Sequence, residues 1–545
     1  MAMAILAVEN LSFTYPDEEE CALQAIDFSV EAGEFITIMG QSGCGKSTLL
    51  RHLKRELAPH GTKTGNITYQ QTNLADLEAR TAASEIGFVM QNPENQIITD
   101  KVWHELAFGL ENLGVDTLTI RRRVAEMASF FGIQKWFRQD TATLSGGQKQ
   151  LVNLAAVMVM QPKILLLDEP TSQLDPIAAI EFITTLKKLN QELGLTVILI
   201  EHRLEDVLPL ADRVIVMDKG TIQFDGEPTA LLPTLSQLNL LEALPSSMRI
   251  FYNLNGTGQP PLTVKEGRTW LSKQAINQTM LPIQEDIKRQ PVLEVKGVYF
   301  RYDKHADDVL RGLDLTIGEG ELFTLLGGNG TGKTTALKVL AGLEKAYRGD
   351  VKVFGKKLNK YGHNELYREV LGVLPQDPKV LFLEKTVCLD LETMCTSLQL
   401  PTDRLQEVVS LLDIAYLLER HPYDLSGGEQ QKAALAKLLL LQPKIILLDE
   451  PTKGLDVRAK QQLAQILRSL QQQGVTLVIV THDIEFSAKY SDRCALFFDG
   501  IVVSEGMPRT FYSGNNFYTT AAHRISRNQL VNAITPEDVV TLCKS

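Results

Sequence analysis

Two segments of the chain carry the pattern G-x-x-x-x-G-K-[ST]: Gly40-Gln41-Ser42-Gly43-Cys44-Gly45-Lys46-Ser47 and Gly327-Gly328-Asn329-Gly330-Thr331-Gly332-Lys333-Thr334. Each follows a strand-like run, Glu34 to Met39 in one case and Glu321 to Leu326 in the other, and each precedes a helix-like stretch. Glycines let backbone N–H groups turn inward around phosphate oxygens at a helix N-terminus. Lys46 and Lys333 can then reach the β and γ groups, and the Ser47 and Thr334 hydroxyls can bind Mg²⁺. One such match could be a chance glycine-rich turn, but two in register exclude that reading.

About 120 residues after each phosphate loop comes an apolar run ending in two acids, Ile164-Leu165-Leu166-Leu167-Asp168-Glu169 and Ile445-Ile446-Leu447-Leu448-Asp449-Glu450. An aspartate at a strand end can hold Mg²⁺ through its water shell. The next carboxylate, Glu169 or Glu450, can orient and polarise the water that attacks a γ-phosphate.

The elements that must position these groups occur twice, in the same order and displaced by about 280 residues, the length of a domain. The copies open on matching strand-like segments, Ala4 to Tyr15 and Val292 to Tyr302. Short Val/Ile/Leu runs then alternate with longer stretches of helical period, which predicts a largely parallel sheet covered by helices. Apolar side chains on consecutive positions, as in Ile164 to Leu167, are what burial on both faces of such a sheet requires. The expected organisation is an α/β chain with one domain over 1–245, a linker over 246–290 rich in Pro, Gly, Asn and Ser, a second domain over 291–515 and a tail over 516–545.

The whole composition narrows the choices further. With 545 residues, a formal net charge of -11 and 44% hydrophobic residues, the chain reads as globular and makes a poor general binder of nucleic-acid backbones. Its six cysteines show no CxxC or metal-type spacing and read as reduced thiols. Met1 to Asn10 lacks a basic n-region and reads as a strand and not a signal peptide. No apolar run approaches the roughly 18 residues needed to cross a bilayer, so any membrane association is expected to be peripheral.

Leu144-Ser145-Gly146-Gly147-Gln148 and Leu425-Ser426-Gly427-Gly428-Glu429 resemble the signature of the ATP-binding-cassette family. A serine followed by two glycines at a helix start offers a hydroxyl and approachable amides to an anion. The resemblance implies a tandem P-loop fold, each half a mostly parallel sheet with an antiparallel β part and a helical subdomain. It implies ATP hydrolysis with Mg²⁺, in which each signature meets the nucleotide held by the other half, so that Lys46 works with Ser426 and Lys333 with Ser145. It further implies that Gln91 and Gln376 touch Mg²⁺ and water, that His202 and His482 contact the γ-phosphate, that Tyr15 and Tyr302 stack on adenine, and that Asp175 and Asp456 lie where domains communicate.

The expected catalytic set is thus Glu169, Glu450, His202, His482, Gln91 and Gln376. The expected nucleotide-binding set is Tyr15, Gly40, Gly43, Gly45, Lys46, Ser47, Thr48, Ser145, Gly146 and Gly147, with Tyr302, Gly327, Gly330, Gly332, Lys333, Thr334, Thr335, Ser426, Gly427 and Gly428. The expected metal set is Ser47, Gln91, Asp168, Thr334, Gln376 and Asp449. Two departures occur, Gln173 where a small residue is commoner and Lys453 where the family has serine, and neither removes a catalytic group. Both sites are therefore expected to hydrolyse.

The stretch from Asn92 to Gly114 contains Val102, Trp103, Leu106, Ala107 and Leu110, which are expected on one helical face, suited to core burial, which periodicity favours, or to receiving a partner's helix. That stretch, the segment Ile200-Glu201-His202-Arg203-Leu204-Glu205, and the ending Phe517-Tyr518-Thr519-Thr520-Ala521-Ala522 resemble energy-coupling-factor transporter ATPases. The resemblance implies a motor on the cytoplasmic face of the membrane, attached only through protein partners: a transmembrane coupling protein and a substrate-capturing subunit for vitamins or transition-metal ions. A tandem sugar-importer ATPase is the nearest alternative. A ribosome-bound ABC-F factor is disfavoured, because the interval between the copies is Pro/Gly-punctuated and nearly charge-balanced, not basic and helical.

Overall fold

The computed structural model describes residues 4–16, 18–282 and 289–544. Met1 to Met3 of the expected opening strand, 283–288 of the expected linker and Ser545 of the expected tail lie outside them. The chain divides into two compact units, Met1–Arg249 with Thr257–Thr263, and Ile250–Gly256 with Val264–Ser545.

In the first unit the strands are β1 (Ala4–Thr14), β2 (Leu23–Glu31), β3 (Phe35–Gly40), β4 (Thr62–Tyr69), β5 (Thr72–Asn73), β6 (Ile86–Val89), β7 (Ile164–Asp168), β8 (Thr196–Ile200), β9 (Arg213–Asp218) and β10 (Thr221–Gly226). They form an antiparallel sheet of order β2-β1-β4-β5 and a second sheet of order β10-β9-β3-β8-β7-β6, parallel except where β10 meets β9. Every residue of β7 and β8 is buried, because the sheet is covered on both faces. Alternate residues enter opposite cores: Leu165, Leu167, Val197 and Leu199 on one side, Ile164, Leu166, Ile198 and Ile200 on the other. The strands β3, β7 and β8 run parallel and end together, so the loops after them share one crevice.

The helices Val102–Asn112, Thr117–Phe130 and α2 (Gly146–Met158) build a helical part over the first of these cores; the helix α1 (Lys46–His52) follows β3. Val102, Leu106, Ala107 and Leu110 are buried as expected, but Trp103 is not on their face. It is 44% exposed and stacks on His104 with centroids 5.2 Å apart, since a residue next to a buried one is turned about 100° around the helix.

The second unit repeats the plan with β11 (Pro291–Phe300), β12 (Leu310–Gly318), β13 (Leu322–Leu326), β14 (Arg348–Val353), β15 (Lys356–Lys357), β16 (Leu371–Leu374), β17 (Ile445–Asp449), β18 (Thr476–Thr481), β19 (Arg493–Phe498) and β20 (Ile501–Gly506). Their orders are β12-β11-β14-β15 and β16-β17-β18-β13-β19-β20. The helix α3 (Lys333–Ala341) follows β13 and the helix α4 (Gly427–Leu440) precedes β17.

This unit carries an addition absent from the expected organisation. Val264–Leu271, within the interval expected as linker, is a helix that packs with Ala521–Ser526 and Pro536–Lys544 of the expected tail. Ile250, Leu271, Leu281, Ile525, Leu530 and Leu542 share one small core. Asn532 and Leu281 exchange two hydrogen bonds of 2.9 Å, and Arg268 donates to the Arg524 carbonyl at 2.7 Å. Each piece alone has too little apolar surface to hold together, so order comes from joining segments some 250 residues apart in the chain.

Candidate nucleotide sites

In the first unit β3 delivers the chain to Gly40 and α1 begins after Gly45. Gly45 has φ 98°, and a Cβ there would stand 2.5 Å from the Ala22 carbonyl oxygen; at Gly40 it would stand 2.2 Å from that of Met217. Only glycine passes both points. The Lys46 ammonium, on a buried side chain, donates to the carbonyls of Gly40 (3.0 Å) and Gln41 (2.8 Å), so it lies folded across the loop that would receive phosphate.

Ser47 Oγ donates to Asp168 Oδ1 at 2.8 Å. Burial pushes the Asp168 carboxyl up from its ordinary value, with the Ser47 bond opposing and the Glu169 charge adding. Glu169 takes φ 44°, a left-handed conformation unusual for a side chain with Cβ, and this turn aims its carboxylate back over the sheet edge. There Glu169 Oε2 accepts from Gln91 Nε2 at 2.7 Å, and Oε1 lies 2.8 Å from His202 Nε2. Two of the expected catalytic residues of this site thus meet on the third, one at each oxygen of Glu169.

The second unit builds the same crevice with different bonds. Lys333 Nζ donates to the Gly328 carbonyl (2.9 Å) and lies 3.7 Å from Glu450. Thr334 Oγ1 donates to Asp449 Oδ1 at 3.1 Å, and burial raises the Asp449 carboxyl to about 6. Glu450, with φ 50°, accepts from Thr481 Oγ1 (3.2 Å) and His482 N (3.3 Å), and His482 Nδ1 lies 2.9 Å from its Oε2. Burial alone would raise Glu450, but His482, Lys333 and Thr481 outweigh it and hold the carboxyl below its usual range. Gln376 is exposed, and among the described residues no bond joins it to Glu450. The structure therefore brings together five of the six expected catalytic residues, three in one unit and two in the other.

Tyr15 and Tyr302 stand at the ends of the first strands of their units, each edge-on to a phenylalanine two residues earlier. Their hydroxyls pair with Thr48 Oγ1 (2.9 Å) and Thr335 Oγ1 (3.0 Å), which sets an aromatic ring beside each phosphate loop. Ser145 and Ser426 cap the N-termini of α2 and α4, each in a reciprocal box with Gln148 or Glu429. A Cβ on Gly146, Gly147 or Gly427 would meet nothing closer than 3.6 Å. Packing within a cassette therefore does not demand these three glycines, whereas at Gly428 a Cβ would stand 3.2 Å from that of Ala459. Asp175 and Asp456 cap the helices that follow the acids, accepting from Ala178 N at 2.9 Å and from Ala459 N at 2.7 Å.

The donor set suits Mg²⁺. Each crevice pairs one hydroxyl with one carboxylate oxygen, and among the described residues no cluster of three or more His, Cys, Asp or Glu could cage a metal alone. Mg²⁺ prefers such sparse sites, completing its shell with phosphate oxygens and water. Two buried residues that the sequence did not single out bond between the loops of the first acid and histidine, Thr171 and Glu201; for Glu201 the signal was the difference between the copies, Glu201 against Thr481.

Each unit therefore combines a parallel sheet, a phosphate loop, strand-end Asp-Glu and a serine-capped glycine helix start, the make-up of a P-loop ATPase cassette. The family model described as "ABC transporter" matches residues 23–172 and 310–453. The chain is 46% identical to an ABC transporter ATP-binding protein of Bacillus thuringiensis subsp. konkukian, over 98% of both chains. It is 32% identical to YkoD of Bacillus subtilis, provisionally named an HMP/thiamine import ATP-binding protein, over 93% of this chain and 92% of that one. A solved structure of CbiO1 from Clostridium perfringens, part of the CbiONQ transporter complex, is 34% identical over 44% of this chain and 95% of its own, with a TM-score of 0.39. The chain belongs to the ABC transporter family and is one of its ATP-binding ATPases, with two cassettes.

Proposed function

We propose that the chain is the two-site motor of an energy-coupling-factor importer for a vitamin or a transition-metal ion. It works at the cytoplasmic face of the membrane, attached through a transmembrane coupling protein that serves a substrate-capturing subunit. Glu169 and Glu450 activate the attacking water, His202 and His482 contact the γ-phosphate, and Lys46 and Lys333 hold the terminal phosphates. Ser47 with Asp168 and Thr334 with Asp449 would hold Mg²⁺, which would supply neutralisation of the phosphate charge.

The observation that carries this reading is the completeness of both crevices, each with loop lysine, hydroxyl–carboxylate pair, acid and histidine. The relation to YkoD along nearly the full chain supports import of a vitamin-type cargo. Among the described residues no helix is long and apolar enough to cross a membrane, which leaves the transmembrane step to partners. Affinity purification of the full chain from detergent-solubilised membranes of its own cells tests the proposal. A small integral membrane coupling protein should co-purify. Recovery of a sugar-permease pair or of ribosomes in its place would refute it.

A further inference from the structure

Superposing the copies along the chain sets Glu201 against Thr481 and Thr171 against Thr452. In the first unit Glu201 is 3% exposed, and its carboxylate joins two loops. Glu201 Oε1 accepts from Thr171 N (3.0 Å) and Thr171 Oγ1 (2.5 Å), while Oε2 accepts from His202 N (3.1 Å). Thr171 belongs to the turn after Glu169, closed by bonds from Ser172 N to the Glu169 carbonyl (3.1 Å) and from Leu174 N to the Thr171 carbonyl (2.9 Å). That turn leads directly to Asp175 and the helix it caps.

The second unit makes the same connection weakly. Thr481 and Thr452 share one hydroxyl pair at 3.4 Å, and Thr481 instead donates to Glu450. Bonds to a charged acceptor are roughly twice as strong as those between neutral groups. The second unit also shows that the fold closes with threonine at this position, so the fold does not call for a carboxylate. Burying one costs free energy unless its bonds return it, and here two of the three bonds run between the histidine loop and the turn after the acid, while the third, from His202 N, fixes the carboxylate within its own loop.

We propose that Glu201 is a positioning residue of the first ATP site. It ties the loop of His202 to the Thr171–Asp175 turn, so that contact between His202 and a γ-phosphate is passed to that turn, and the two ATP sites of the chain are unequal. The inference rests on the ATPase activity of the chain and not on the importer reading, so the co-purification result leaves it standing.

The test is steady-state hydrolysis by the full chain carrying Glu201→Gln, Thr171→Val, both together, Thr171→Ser and Thr452→Val, with ATP affinity and thermal melting measured beside it. Glu201→Gln and Thr171→Val should each lower kcat about 5- to 10-fold while KM and ATP affinity stay within about twofold, the scale of one hydrogen bond. The double variant should be no worse than the poorer single one, because both break the same link. Thr171→Ser keeps the hydroxyl and should restore kcat, and Thr452→Val should leave it within about twofold of the parent. Unchanged kcat in Glu201→Gln and Thr171→Val overturns the proposal. So does an equal loss in Thr452→Val, or a loss that follows a fall in melting temperature with KM rising alongside. Should Glu201→Gln fail to fold, the Thr171→Val and Thr171→Ser pair decides from the other side of the same bond.

Discussion

Both acids touch their histidine side chain, but in the first cassette Glu169 is also held by the Gln91 amide from a separate loop, while in the second Glu450 is also held by the Thr481 hydroxyl and the His482 backbone. The first acid is thus tied to a residue of another loop and the second to the end of the neighbouring strand. Burial differs too, since the side chains of the first acid–histidine pair are 12% and 17% exposed and those of the second 7% and 6%. Two copies of one fold thus set the same atoms in place with different tethers. Conservation of the chemical groups between the copies does not carry with it equality of their mechanics.

The largest effects should come from the acids. Glu169→Gln and Glu450→Gln, made singly, should each cut the rate about 10²-fold or more while ATP still binds, as phosphate release and nucleotide binding measured together will show. A variant that keeps the parental rate would make its site a non-hydrolysing one and turn the comparison from unequal into one-sided. Next come the loop lysines: Lys46→Ala and Lys333→Ala should each weaken nucleotide binding about 10- to 100-fold at one of the two sites, read by titration with a fluorescent ATP analogue.

A smaller effect sharpens the comparison most. Gln91→Ala should lower kcat about fivefold and Gln376→Ala less than twofold, because only Gln91 bonds the acid. Equal losses would mean that bound nucleotide erases the difference seen between these crevices. The smallest effect is on stability. Burial raises the Glu201 carboxyl above its ordinary value, with the Thr171 bonds opposing. A carboxyl raised in the folded state favours that state at low pH, and the contribution is lost as pH climbs from the ordinary value near 4.5 through the raised one. Melting curves of the parent should therefore fall with pH across that window by a few degrees relative to Glu201→Gln, and Thr481 offers the second unit no counterpart.

Much of this was legible beforehand, for physical reasons that differ by element. The glycine loops could be read because no other residue takes the backbone of Gly45 or approaches the Met217 carbonyl as Gly40 does. Strands β7 and β17 could be read because two-sided burial demands an unbroken apolar run. Trp103 was misplaced because an apolar residue next to the buried stripe looks the same in a list of letters whether it turns inward or out. The helices at Val264–Leu271 and Pro536–Lys544 were invisible as partners because neither carries enough apolar residues to announce a core. That core exists only when they meet.

From the amino-acid order alone followed the duplication, the parallel sheets, the phosphate loops and the identities of the acids and histidines, since each depends on local stereochemistry or on a short-range pattern of burial. Which hydrogen bonds hold each acid, which glutamine reaches it, and that Glu201 spans two loops were decided by the tertiary structure. Those contacts join residues from 30 to 78 positions apart, and a hydrogen bond exists only where folding closes that distance to about 3 Å in the right direction.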